Sequence, residues 1–212
     1  MKERGMIFNA EMVRAILDGR KTQTRRLVPE WQVPKHSPDN SDDPRYNWMA
    51  EAQRDRRYGY GVFGETEEAC AKELSLMAPC PFGNRWERIW VRETFGDCGE
   101  RLVYRADTDD GAQCKVNRWT PSIHMPRWAS RITLEITGVR VERLNEISEE
   151  DAAKEGVAWE SATPGVPAKP GAVLSAKQDF SILWKSIYGD ESWAANPWVW
   201  VIEFKRVEGG AA

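Results

Sequence analysis

The chain predicts an α+β fold, a small bent β-barrel with flanking helices and long insertions, and three observations carry that expectation. The first is the stretch from Arg131 to Leu144: Ile132, Leu134 and Ile136 share one face and Thr133, Glu135 and Thr137 the other. The apolar phase then slips by one, and Val139 and Val141 continue it. Gly138 stands at the slip, where a β-bulge lets a strand turn the corner that a small closed barrel needs. The second is a set of short amphipathic helices, each with legible caps. The third is size: 212 residues at 41% hydrophobic content supply one ordinary core. Two polar stretches, at about 30–84 and 158–177, read as insertions into a single domain spanning 1–212.

In chain order, Gly5 to Phe8 is a strand that runs into a helix capped by Asn9. Met12/Val13 and Ile16/Leu17 recur at helical spacing, and Gly19 closes the end. The insertion from Glu30 to Asn84 is expected to lie over the domain, with one helix from Glu67 to Met77. Ile89, Val91 and Glu93 alternate with Trp90, Arg92 and Thr94 as a strand, and Leu102 to Ala106 is the next. After the bulged strand, Ser148 caps a short helix over Glu149 to Glu155, which Gly156 ends. Gln178 to Tyr188 has the apolar stripe Phe180, Leu183/Trp184 and Ile187/Tyr188. Pro197 opens a last strand in which Trp198, Trp200, Ile202 and Phe204 face one way, apolar enough to be central.

Composition excludes several classes. A net charge of −3 argues against a protein that coats nucleic acid without selectivity. Cys70, Cys80, Cys98 and Cys114 form no CxxC pair, which argues against a zinc site; no metal or other cofactor is expected. No apolar run is long enough for a membrane span, so the expected place is the cytoplasm, with free thiols and no membrane partner. The eleven tryptophans are expected mostly in the core.

The most concentrated chemistry is Gly19-Arg20-Lys21-Thr22-Gln23-Thr24-Arg25-Arg26, with four cations, two hydroxyls and one amide in eight residues. From Met1 to Leu27 there are seven Lys/Arg against three Asp/Glu. A local basic face on an acidic chain fits one phosphate or a short strand, and a solvated charged turn is the plainer alternative.

Taken together and in this order, the Gly19-to-Arg25 stretch, Arg88-Ile89-Trp90-Val91-Arg92-Glu93, the Ser148-to-Gly156 helix and Val201-Ile202-Glu203-Phe204-Lys205 resemble the ASCH domain family, itself similar to PUA-like RNA-binding barrels. The helix Met12 to Leu17 and the segment Ser122 to Arg131 resemble the larger members found in bacteriophages and prophages. The resemblance implies a partner that is RNA or a modified nucleoside. In one branch, amidohydrolases remove the acetyl group of acetylated cytidine, and their catalytic set falls here on Lys21, Thr24 and Glu155. Other members are regarded as non-catalytic RNA-binding modules, and one as a ribonuclease. Arg20, Gln23, Arg25, Arg92 and Glu93 are the candidate substrate-binding residues.

Local chemistry adds to that set. A carboxylate in the last helical turn opposes the helix dipole, so Glu155 is expected to lean toward the protonated form of a general acid. Arg20 and Arg25 beside Lys21 favour a neutral amine that can take a proton from Thr24. Residues 21 and 24 point to opposite faces of a regular strand, so this chemistry requires a turn.

Overall fold

The computed structural model describes residues 2–37, 42–53, 58–99, 101–107, 116, 118–157 and 175–207. Its centre is a five-stranded sheet. Strand β1 (Glu3–Ile7) leads into helix α1 (Ala10–Leu17), where the Asn9 side chain accepts from the amide of Met12 and closes the first turn. Gly19, at φ 76°, reverses the chain into β2 (Gln23–Leu27).

Residues 30–84 contribute β3 (Lys35–His36), β4 (Trp48–Gln53), β5 (Tyr60–Gly64) and α2 (Glu67–Met77), the three strands forming an antiparallel sheet of their own. The helix has the predicted bounds, and Thr66 caps it. The expectation that this stretch is laid over the domain does not hold. Ala50, Ala52, Val62, Cys70, Ala71 and Leu74 are buried in the same cluster as Phe8, Ile89 and Trp200. Short strands with Gly and polar residues on their outer side carry too weak a period to be read, yet β4 and β5 each bury their inner side.

Next come β6 (Arg88–Arg92), then β7 (Phe95–Asp97), β8 (Leu102–Tyr104) and β9 (Trp119–Thr120), a small sheet in the order β8-β7-β9. They are followed by β10 (Thr133–Arg143), α3 (Glu149–Lys154), α4 (Ala176–Tyr188), α5 (Glu191–Ala194) and β11 (Trp198–Arg206). The second predicted insertion falls mostly at 158–174, outside the described residues.

The main sheet runs β1-β6-β10-β11-β2, with β1 parallel to β6 and the other neighbours antiparallel. The β10–β11 register shifts between Ile136 and Gly138, the predicted bulge. A Cβ at Gly138 would lie 2.8 Å from Glu203 Oε2, so the missing side chain lets that carboxylate approach. No ladder joins β1 to β2 among the described residues, and the sheet is open where a closed barrel was expected.

Alternation along β11 divides the molecule. Trp198, Trp200, Ile202 and Phe204 enter the large core with α1 and α2, while Val199 and Val201 face a second cluster with Leu144, Phe180 and Trp184. Trp184, Trp198 and Trp200 are buried, Trp86 and Trp128 are exposed, and the other described tryptophans are half-buried, where most were expected in the core. Among the described residues no helix is long and apolar enough to cross a membrane. Cys70 and Cys80 are free and buried, which pushes both thiols up to about 11. Cys98 is disulfide-bonded, against the expectation of free thiols, and Cys114 lies outside the described residues. Sequence spacing alone says nothing about which thiols the topology brings within bonding reach.

Candidate functional site

The end of α1, the start of β2 and the end of α3 meet at one point. Lys21 forms an isolated antiparallel bridge with Glu155, and the amide of Thr22 donates to the carbonyl of Lys154. Gly156, at φ 83°, makes the approach possible: a Cβ there would lie 2.7 Å from Lys21 Cβ and 2.8 Å from Ala15 Cβ.

At this junction Lys21 Nζ donates to Glu155 Oε2 at 2.7 Å and to the Glu155 carbonyl oxygen at 2.8 Å. Arg25 Nη1 donates to the other carboxylate oxygen, Oε1, at 3.0 Å. Lys21 is 0% exposed at its side chain and Glu155 2%. Burial pushes the Lys21 ammonium below its ordinary value, and the Glu155 carboxylate opposes that shift. The helix-end location of Glu155 is as expected, since it is the residue that closes α3. Each of its carboxylate oxygens accepts from a cationic side chain, Lys21 on one and Arg25 on the other.

From Arg25 the network continues outward. Its Nε and Nη2 reach Glu142 Oε1 at 3.1 and 2.5 Å, and Nη2 lies 3.4 Å from Asp151 Oδ2. Arg140 then gathers Glu142 at 2.9 Å, Asp151 at 2.5 Å and Glu203 at 2.6 Å. Gln23 accepts from Arg25 at 2.7 Å and points its amide nitrogen at Asp151 and Glu203, each at 3.4 Å. Exposure rises along this chain, from the buried Lys21 to Glu203 at 45%. Lys21, Arg25 and Arg140 face Glu142, Asp151, Glu155 and Glu203, so three cations meet four carboxylates.

The structure therefore brings together Lys21, Glu155, Gln23 and Arg25 and leaves the other candidates apart. Thr24 lies opposite Ile202 in the β2–β11 ladder, on the face of the large core and opposite to Gln23 and Arg25. Its hydroxyl makes no hydrogen bond to Lys21 or Glu155, since β2 is regular and supplies no turn between residues 23 and 27. Arg20 is exposed and bonds Gly156 O at 2.8 Å and Asp18 at 3.1 Å. Arg92 is bonded to the carbonyls of Ser122 and Ile123. Glu93 is buried elsewhere, in an ion pair with Arg131.

The basic face is also corrected: Lys21 and Arg25 are buried against carboxylates, and Arg26 donates to Ile7 O at 2.8 Å over the Phe8 ring. Like charges crowded in sequence were drawn apart by β alternation and matched by anions distant in the chain. The sequence reading missed Arg140, Glu142, Asp151 and Glu203 as site residues. Glu203 carried a usable signal, being the one carboxylate inside the apolar run Val199 to Phe204. No protein-family model, no curated protein and no solved structure matches the chain.

Proposed function

We propose that this chain is an ASCH-type, PUA-like protein that hydrolyses the acyl amide of an acylated cytidine, free or within RNA, with Lys21 as base and Glu155 as acid. The observation that carries the proposal is the 2.7 Å contact between two buried, oppositely charged groups in one bridge. In such a pair one proton has two possible seats. With the proton on Glu155, the site holds a neutral amine beside a neutral carboxylic acid, and burial of Lys21 works in that direction.

From that state the Lys21 amine takes a proton from a water molecule whose oxygen attacks the amide carbonyl. The tetrahedral intermediate collapses, the C–N bond breaks, and the Glu155 acid protonates the departing exocyclic amine. Return of the proton from Lys21 to Glu155 and release of the carboxylic acid restore the pair. Arg25, on the far carboxylate oxygen, orients Glu155. Water serves as the nucleophile because the Thr24 side chain lies on the core face of β2. Arg140 and its three carboxylates stand on the solvent side, and an entering base parts them. The ASCH-type fold is supported by the order of elements, by the bulge at Gly138, and by β11 lying between β10 and β2.

Incubation of pure protein with N4-acetylated cytidine tests the reading, with cytidine release followed by chromatography. Wild-type protein should turn over, Glu155→Gln should lose about 100- to 10,000-fold, and Thr24→Val should retain most activity. An inert wild type against a panel of acylated nucleosides removes the proposal.

A further inference from the structure

The stretch from Ser75 to Glu87 lies along an edge of β10 that β6 leaves open, since β6 pairs with β10 only over Thr133 to Glu135. Beyond that ladder, the Trp86 amide donates to the Ile136 carbonyl at 2.9 Å and the Ile136 amide to the Glu87 carbonyl at 3.0 Å. Farther along, the Val141 amide donates to Ser75 Oγ at 3.2 Å. Ala78 and Cys80, between these points, are buried and fix the stretch to the large core. Both of its ends nevertheless turn large apolar groups to solvent. At the α2 end Leu76 is 70% and Met77 60% exposed, and the Tyr60 hydroxyl donates to the Met77 carbonyl at 2.6 Å. At the other end Trp86 is 56% exposed.

Trp86 reaches solvent from a strained backbone. Its φ is 73°, and it is the one aromatic residue at positive φ among the described residues. It takes the third position of a turn closed by the Glu87 amide on the Asn84 carbonyl at 3.0 Å, a place that glycine or asparagine ordinarily fills when φ is positive. The turn is tied at several points: Asn84 Oδ1 accepts from the Cys80 amide at 2.9 Å, and Glu87 Oε2 accepts from the Asn84 amide at 3.1 Å and from Arg4 Nε at 3.4 Å. The Arg85 guanidinium stacks on the indole, 4.6 Å from the ring centre. Strain that serves to hold an indole in water adds nothing to the core and points to a contact outside it. Tryptophan and arginine are the residues that most often carry the affinity of a protein interface.

The two ends also differ in charge. Arg85 is exposed and forms no ion pair among the described residues. On the outer side of α2, Glu68, Lys72 and Glu73 are exposed, two anions against one cation, and Glu73 stands one turn before Leu76 and Met77. The ends meet β10 at Ile136 and Val141, about 16 Å apart along the strand.

We infer that this edge joins two copies of the chain in a two-fold dimer. An axis passing near Val139 sets Trp86 and Arg85 of each copy against Leu76, Met77 and Glu73 of the other. The same surface then serves both partners: each indole covers the aliphatic groups opposite it, and each guanidinium meets a carboxylate. The dimer does not depend on the chemistry proposed for Lys21 and Glu155.

Sedimentation equilibrium from about 1 to about 100 μM tests it. Wild-type protein should pass from the chain mass of 24.3 kDa to twice that value. Trp86→Gly, which suits the positive φ, should raise the dimer dissociation constant about 30-fold or more without lowering the thermal midpoint of the monomer. Met77→Asp, at an exposed side chain with no demand on the backbone, should also break the dimer. Arg85→Glu and Glu73→Arg should each weaken it, and the two changes together should restore it. A wild type that stays at the chain mass throughout overturns the inference, and so leaves the strained indole to a different partner. Dimerisation unchanged in both Trp86→Gly and Met77→Asp overturns it too, by placing the contact elsewhere. Failure of the double charge exchange to recover what each single change loses overturns the crosswise docking.

Discussion

Two ion clusters in this molecule, each holding a buried glutamate, are built from similar parts and differ in which cation they bring to it. Around Glu155 one carboxylate receives two cations, Lys21 and Arg25, one on each oxygen. Around Arg131 one guanidinium receives two carboxylates, Glu93 at 3.0 and 3.1 Å and Asp107 at 2.5 and 2.9 Å, with the Tyr104 ring 4.0 Å from its centre. In the second cluster the cation is arginine, whose proton its partners hold even more firmly than usual. Burial pushes the Glu93 carboxyl up, while Arg131 opposes the shift. In the first cluster the buried cation is a lysine with a weakened hold on its proton. Burial and pairing are thus common to both clusters, and the chemistry proposed for the first rests on the looser proton of its lysine.

The largest expected effect comes from erasing that difference. Lys21→Arg keeps a positive charge beside Glu155 but fixes the proton, so turnover of acylated cytidine should fall about 100- to 10,000-fold. Retained turnover in steady-state assays would mean that Lys21 only positions Glu155.

A second change addresses the other cluster. Arg131→Gln leaves Glu93 buried without its cation and should cost about 3–5 kcal/mol, measured by urea unfolding. Turnover per folded molecule should stay within about twofold, as the Arg131 cluster shares no residue with the Glu155 network. A large loss of turnover without loss of stability would erase the distinction between the clusters.

The smallest effects are in pH dependence, where the two clusters have opposite signs. Native Lys21 binds its proton less well than unfolded Lys21, so the unfolded chain holds more protons between the lowered value and the ordinary 10.5. Stability from this group therefore rises with pH across that window, and Lys21→Met should remove the rise. Native Glu93 holds its proton better, so its contribution is present below the ordinary 4.5 and is lost as pH rises through the raised value. Glu93→Gln should remove that fall, which amounts to about 1.4 kcal/mol for each tenfold difference in proton affinity between the native and unfolded chains. Urea midpoints across pH in the two variants check both signs.

Much of this fold was legible because its signals were local. Asn9 and Ser148 cap the helices they were expected to cap, Glu67–Met77 is helical, and the phase slip at Gly138 is a bulge. Lys21 and Glu155 were paired through family resemblance, and they touch. What escaped was nonlocal. Arg25 looked like a free cation because Glu142, Asp151 and Glu155 lie 117, 126 and 130 positions away. Residues 30–84 looked like decoration because burial of Ala50 or Leu74 depends on which surface they meet, which no periodicity reports. Thr24 failed as a partner of Lys21 for a reason that was readable, the alternation of a regular strand.

Strand β11 lies between β10 and β2, yet it is the last described strand in the chain, and β2 has no other partner in the sheet. During synthesis at about 5–20 residues per second, the segment Gln23–Leu27 leaves the ribosome about 9 to 35 s before Trp198–Arg206. For that interval the amides and carbonyls of β2 have no ladder, and Arg25 has no Glu142, Asp151 or Glu155 until those residues follow. The nascent chain thus carries an unpaired edge and a cation awaiting its anions, a state open to holding factors or to mispairing with a neighbouring chain. A chain cut before Trp198 would remain in it.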